Sequence, residues 1–438
     1  LSSIFVVGLL ACNDVPPPKP QRVASYPTNA AAKAFPLTRS AGHRCLSDQQ
    51  ARPFLVHGDA AWSLIAQLDR LATLRYLDNR RAKGFNTLIV NLIEHHFSKE
   101  PPVNAYGQAP FHGTDSFVSP NESYFEHVDW VLAQAAERGF LVLLAPAYLG
   151  YEGGNEGWYK EMRKAKLTTL EDYGGYLGAR YANFTNVIWL HGGDFNPPDM
   201  SPTLAVMKGI RRNARSTMHS FHGARGTVAT QFLADGDWLD LNTIYTGEST
   251  VVTKTREAAG SDLPSIFIEG QYENVGVDDL GVRTQAYQAV LSGACGQIIG
   301  NRPVWAFEPG WDAELDSPAA RAMVFLRKFL ESNGWPMIRP LENQAIRVAS
   351  THGAAQPVAA LSPSGQILGY LPVNAMATLH HSVLSEGHYD LTWIDPQIGT
   401  TRAKVAIVRT EWGDAVLRPP GPNVSGHGDW LFSIGQKL

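Results

Sequence analysis

The chain is poor in cysteine: three in 438 residues leave no room for a disulfide framework. There is no Cys-x-x-Cys and no His-Glu-x-x-His, and the adjacent His95 and His96 would face opposite sides of a strand. A metal site is therefore not indicated. No Lys/Arg stripe stands out and the formal net charge is −4, which argues against a nucleic-acid partner, since phosphate binding needs a basic surface. No apolar run is long enough to cross a bilayer. What remains is a globular composition, 44% apolar and 18% charged, with a length that suits two or three domains.

The first residues form a short apolar run, Ile4-Phe5-Val6-Val7-Gly8-Leu9-Leu10-Ala11-Cys12. It has the length of a secretory h-region. Leu9-Leu10-Ala11-Cys12 resembles a bacterial lipobox, in which Cys12 would become the lipidated terminus. Residues 1–12 are accordingly read as a truncated lipoprotein signal segment. Residues 13–34, with Pro16-Pro17-Pro18, are read as a flexible linker. The implied location is the bacterial cell envelope, with a membrane contact only through the N-terminal lipid.

Beyond the linker, strand-like runs alternate with helix-period segments, the pattern of a parallel α/β sheet. The expected strands are residues 53–57, 87–92, 140–146, 186–191, 217–221, 241–245, 265–268 and 296–299. Between them fall a helix with Leu74, Leu77 and Arg81 on one side, a helix over 122–137, and helices opened by Thr168-Thr169-Leu170-Glu171, Ser201-Pro202 and Ser317-Pro318. Eight such units over residues 35–338 predict a (β/α)8 TIM barrel. From 339 to 438, short alternating runs at 357–361, 366–372, 387–394 and 403–408 predict a small all-β sandwich domain.

Two runs end abruptly in a carboxylate amid glycine and aromatic residues: Trp189-Leu190-His191-Gly192-Gly193-Asp194 and Ile266-Phe267-Ile268-Glu269-Gly270-Gln271-Tyr272. They are the fourth and seventh strands, so Asp194 and Glu269 would face each other across the C-terminal rim. Paired carboxylates across such a gap are what hydrolysis of a glycosidic bond uses, one attacking the anomeric carbon and the other protonating the leaving oxygen. The 11 Trp and 15 Tyr suit flat sugar faces, and large cores too. Trp62 and Trp305 are candidate platforms. Asp59 is read as a sugar ligand or a helix cap, and His191 as a rim ligand or a satisfied core histidine. Tyr245 would either donate to Glu269 or pack, while Gln271 and Tyr272 are candidate substrate contacts. Glu94 and Glu248 are the rival acids. No cofactor is implied.

Several segments carry a family likeness. Gly58-Asp59-Ala60-Ala61-Trp62, Tyr76-Leu77-Asp78-Asn79-Arg80 and Lys83-Gly84-Phe85-Asn86-Thr87, with Gly192-Gly193-Asp194 and Glu269-Gly270, resemble the apiosidase-like barrels, glycoside hydrolase family 140. The resemblance implies Asp194 as acid/base and Glu269 as nucleophile. It implies a retaining enzyme acting on polysaccharide side chains, with the two carboxyl groups about 5–5.5 Å apart. Ala60 stands where the family has Thr, and Gly296-Gln297-Ile298-Ile299-Gly300 where it has an aromatic run. The sugar is thus apiose or another furanose. Thr392-Trp393-Ile394-Asp395-Pro396, Pro419-Pro420 and Gly428-Asp429-Trp430-Leu431 resemble the β domain that follows these barrels under a collagen-binding label. No protease constellation accompanies it. The rival reading is a non-catalytic carbohydrate-binding surface lipoprotein on the same scaffold.

Overall fold

The computed structural model describes residues 26–436, apart from 40–43, 234–235, 343, 349–355 and 410–412. The expected signal segment, Cys12 and most of the linker lie outside the described residues. The linker ends earlier than expected. Tyr26 packs edge-on against Phe184, and Ala32 is fully buried in a turn of 3-10 helix.

Eight parallel strands form the barrel: β1 (Val56–Ala60), β2 (Thr87–Asn91), β3 (Leu141–Ala145), β4 (Val187–Gly192), β5 (His219–His222), β6 (Asn242–Tyr245), β7 (Ser265–Glu269) and β8 (Gly296–Ile299). Their order is β5-β4-β3-β2-β1-β8-β7-β6. A parallel bridge from Ser220 to Leu241 joins the two end strands and closes the ring. Each strand is followed by a helix: α1 (Arg70–Ala82), α2 (Glu122–Glu137), α3 (Leu167–Tyr181), α4 (Ser201–Asn213), the single-turn α5 (Ala229–Phe232), α6 (Val251–Ala258), α7 (Asp279–Leu291) and α8 (Pro318–Ser332).

Strand alternation sorts the side chains. Val56, Ala60, Ile89, Leu143, Ile188, Leu190, Ile266 and Ile298 fill the barrel interior. Leu88, Val90, Val142, Leu144, Val187 and Trp189 belong to the layer shared with the helices. Phe35, Leu37, Cys45 and Leu46 join the interior cluster together with Cys295, so the N-terminal segment contributes to the barrel core.

The expected first strand is displaced. Pro53–Phe54 belongs to a small antiparallel sheet, and the barrel strand begins at Val56. In α1 the buried face is Thr73, Tyr76, Leu77 and Arg80, while Arg81 is exposed. Helix α3 opens at Leu167 with no side-chain cap, so the Thr168–Glu171 spacing is not used as a capping box. Ser317 does cap α8, accepting from Ala320 N.

The C-terminal domain is two antiparallel sheets. One is ordered Arg339–Pro340, Val358–Leu361, Ile367–Leu371, Trp430–Gln436, Gly387–Ile394, Thr401–Arg409; the other is Ile346–Val348, Ala377–Leu379, Ala415–Leu417. Trp393, Trp430 and Phe432 fill the core between them. The other face of the larger sheet packs on the barrel: Val358, Ala360, Leu368, Tyr370 and Leu431 join the barrel's helix-layer cluster. Tyr370 stacks on Tyr287 of α7 at 4.9 Å. At this junction Arg283 of α7 donates from Nε and Nη2 to Asp429 (3.0 and 3.1 Å), and the Tyr370 hydroxyl donates to the same carboxylate. Arg283 and Asp429 are both fully buried. Among the described residues no helix is long and apolar enough to cross a membrane.

Candidate active site

Asp194 reaches the barrel mouth through an unusual turn. Gly192, Gly193 and Asp194 have φ of 92°, 126° and 48°. A Cβ on Gly192 would lie 2.2 Å from the His222 carbonyl oxygen, and one on Gly193 2.2 Å from the Tyr148 ring. Only glycine fits both places, and Asp tolerates the third better than most residues. The turn is pinned by Gly193 N donating to His222 O at 2.7 Å. The Tyr148 hydroxyl donates to Asp194 Oδ2 at 2.7 Å. Asp194 Oδ1 is buried and has no hydrogen-bond partner.

Glu269 is placed by a break in register. Ile244 pairs with Phe267, and the next pair is Tyr245 with Glu269, so Ile268 is an extra residue in β7. Such a bulge re-aims the side chain that follows it. Glu269 is 7% exposed. His222, at the end of β5, lies with Nε2 2.6 Å from Glu269 Oε2. Since a carboxylate accepts, the imidazole proton sits on Nε2. In the neutral ring Nδ1 can accept from Asp194 N at 3.3 Å; when protonated it donates to Gly223 O at 3.1 Å.

The two acids sit in different electrostatic surroundings. Burial raises the Asp194 carboxyl to about 6, reinforced by the charge of Glu269 and opposed by His222, Tyr148 and Tyr245. Burial pulls His222 down, but the hydrogen bond and charge of Glu269, with Asp194, hold it above the ordinary imidazole value. The phenols of Tyr148 and Tyr245 are raised by burial, and then by the charge of Asp194 and of Glu269 respectively.

These groups open into a cavity of about 630 Å³. Its lining includes Trp62, Tyr245, Gln271, Tyr272 and Trp305 as well as Asp194 and Glu269. Trp62 Nε1 donates to the Tyr272 hydroxyl at 3.0 Å. Arg225 lies over the Tyr245 ring at 5.6 Å, with Nη2 3.5 Å from its hydroxyl.

Two expected ligands are elsewhere. Asp59 points away from the pocket into the helix layer, where Oδ2 accepts from Arg80 Nε and the Tyr76 hydroxyl, each at 2.6 Å. It is fully buried and does not serve as a helix cap; Asp69 caps α1. Val56 and Ala60 face the barrel interior, so their odd-numbered neighbours His57 and Asp59 face out. His191 is likewise outward, between the inward Leu190 and Gly192. It stacks on His219 at 5.2 Å with Nε2 2.9 Å from His219 Nδ1, and burial lowers it to about 3. The rival acids are not paired with either catalytic candidate. Glu94 is enclosed by its own loop, and Glu248 lines a separate groove with Asp278 and Val373.

Sequence reasoning missed His222, Tyr148, Asn91, Phe97 and Arg225. His222 and Asn91 had a usable signal, since each is polar and ends a barrel strand. Asp194, His222 and Glu269 offer one donor atom each within 4.8 Å of one another, enough for a cation. His222 Nε2 and Glu269 Oε2 are already spent on each other, so an ion would have to displace that bond.

The closed parallel barrel presents a carboxylate pair at the ends of β4 and β7, Asp194 half-buried and Glu269 buried, an arrangement that suits a TIM-barrel glycosidase. Residues 40–337 match the family described as "Apiosidase-like, catalytic domain", and the chain belongs to that family. Among solved structures, a glycoside hydrolase is similar over 94% of this chain and 99% of its own, with a TM-score of 0.78 at 19% identity. A family 5 glycoside hydrolase from Bacteroides vulgatus covers 92% of this chain and 95% of its own (TM-score 0.77, 19% identity). A family 5 mannosidase from Rhizomucor miehei covers 69% and 98% (TM-score 0.54, 12% identity). These are likenesses of fold. No curated protein matches the chain.

Proposed function

We propose that this chain is a retaining glycoside hydrolase in which Glu269 is the nucleophile and Asp194 the acid/base. The observation that carries the reading is spacing: an oxygen of Asp194 and one of Glu269 lie within 4.8 Å. That suits retention, at about 5–5.5 Å between carboxyl groups, better than inversion, at about 6.5–9.5 Å.

Glu269 attacks the anomeric carbon while Asp194 gives its proton to the leaving oxygen. The glycosidic C–O bond breaks and an ester to Glu269 forms. Asp194, now ionised, takes a proton from water; the water oxygen attacks the anomeric carbon and Glu269 leaves. The asymmetry fits these roles: Asp194 holds its proton to about pH 6, and Glu269 accepts a hydrogen bond from His222. The substrate is an oligo- or polysaccharide side chain ending in apiose or another furanose. The enzyme acts at the cell envelope, exported and held there by lipid on Cys12.

Sugar release from a panel of pectic and hemicellulosic oligosaccharides, wild type beside Glu269→Gln, tests the reading, with proton NMR of the first anomer formed. Release abolished in the folded variant, with retained configuration, is the expected result. An inverted product overturns the mechanism, and equal release by both proteins overturns the assignment of Glu269. Binding without release would transfer the chain to the non-catalytic reading.

A further inference from the structure

A further polar group lines the same cavity. Asn91 is the last residue of β2, is 3% exposed, and lines the pocket with Asp194 and Glu269. Its backbone N–H is spent on Trp62 O at 2.8 Å. Its amide Nδ2 donates to Glu94 Oε2 at 3.3 Å, which fixes the amide orientation because the carboxylate can only accept. Asn91 Oδ1 is buried and has no partner. A buried carbonyl oxygen left in this state costs free energy unless a ligand supplies the donor.

Glu94 makes the arrangement rigid. Its Oε1 accepts from three successive backbone N–H groups, His95 (2.9 Å), His96 (3.2 Å) and Phe97 (3.2 Å), while Ser63 Oγ donates to Oε2 at 2.8 Å. The same bonds seat Phe97 against Trp305, at 4.9 Å between rings. This carboxylate therefore shapes one wall of the cavity and engages the Asn91 amide nitrogen, leaving the carbonyl oxygen as the side chain's unpartnered group.

We propose that Asn91 is a specificity-determining residue: Oδ1 accepts a hydrogen bond from one hydroxyl of the sugar held beside Asp194 and Glu269, and Glu94 is the positioning residue that fixes its direction. A hydroxyl is the donor a neutral sugar offers, and an acceptor-only contact discriminates against a ring lacking it at that place. The proposal rests on the glycosidase reading above.

The test crosses enzyme variants with substrate analogues: 4-nitrophenyl glycosides of pentofuranoses, apiofuranose included, and their mono-deoxy forms. Wild type, Asn91→Ala and Ser63→Ala are assayed, with the fold of each checked by circular dichroism. The expected result is a fall of about 10–100-fold in kcat/KM for Asn91→Ala on the fully hydroxylated sugar. One deoxy analogue should cost wild type a similar factor and cost Asn91→Ala nothing further. Ser63→Ala, which loosens Glu94 but keeps the acceptor, should remain sensitive to that analogue. Hydrolysis by wild type with additive losses for variant and analogue, or parallel losses in Asn91→Ala and Ser63→Ala, overturns the role of Asn91 and leaves the glycosidase reading standing. No hydrolysis of any member by wild type would instead overturn the furanosidase reading, and this inference with it. If Asn91→Ala does not fold, the analogue series on Asn91→Ser, whose shorter side chain withdraws the acceptor, decides by the same criterion.

Discussion

Tyr245 and Glu269 stand opposite each other at the barrel mouth because β7 carries one more residue than β6 between the last two pairs. Ile266 and Ile268 both face the interior, so unbroken alternation would send Glu269 outward with Phe267, toward the helices. The extra Ile268 cancels one step of the alternation, and Glu269 emerges beside the inward-facing Tyr245, within reach of His222. The nucleophile of the proposed reaction thus depends on one irregular residue pair.

The rate of the proposed reaction should fall as pH rises through about 6, where Asp194 loses its proton. The hydrogen bond from Tyr148 lowers the Asp194 value, so Tyr148→Phe should move this alkaline limb upward while reducing kcat/KM by about tenfold. A pH profile of kcat/KM for both proteins checks this; a limb that stays in place would detach Tyr148 from the titration of Asp194.

Asp194 should cost the protein stability at neutral pH. Its folded value, about 6, is above the ordinary 3.8, so the native state keeps a proton that the unfolded chain has released between these values. Stability is therefore lost as pH rises through that window and stays lost above it. Asp194→Asn removes the cost. It should raise stability at pH 7.5 by about 1–3 kcal/mol, seen as a higher Tm, with little change at pH 3.5. Melting curves at the two pH values would refute this if the gain were equal at both.

Asp59 should matter for folding and leave the chemistry alone. Asp59→Ala strands the Arg80 guanidinium, which is 1% exposed, without its carboxylate, a loss of about 3–5 kcal/mol. Urea unfolding should show that loss, while kcat of the folded fraction stays at the wild-type value. A selective drop in kcat with normal stability would restore Asp59 to the site.

The C-terminal sandwich should behave as a buttress. Asp429→Ala deprives the buried Arg283 of its two-pronged partner and is expected to cost about 3 kcal/mol or more. Limited proteolysis should then cut the chain between barrel and sandwich, where the wild type resists. Unchanged resistance would mean that the apolar face around Tyr370 holds the domains together by itself.

Much of the fold was legible because a buried parallel strand needs a continuous apolar run. The residues of β2, β3, β7 and β8 come within one residue of their expected ends at each side. The first strand was misplaced because Pro53–Phe54 is also apolar and lies only one residue before β1. The sandwich strand Trp430–Gln436, central in its sheet, carries little local signal beyond Gly428-Asp429-Trp430-Leu431, since its neighbours come from distant parts of the chain. In the site, Asp194 and Glu269 were visible as acids after apolar runs. His222 escaped because the fifth strand is short and is not followed by a long amphipathic helix.

The sequence by itself determined the order of alternating strands and helices, the change to all-β structure near residue 339, and the two acids at strand ends, because apolar periodicity and glycine placement act locally. Tertiary structure alone decided which side chains face the pocket. Asp59 and His191 are outward by strand parity, and Glu269 is inward only because a bulge reverses that parity. The difference is physical: a strand's two faces are fixed relative to each other by the backbone, but which face becomes the interior, and where the register slips, is settled by the neighbouring strands with which it pairs.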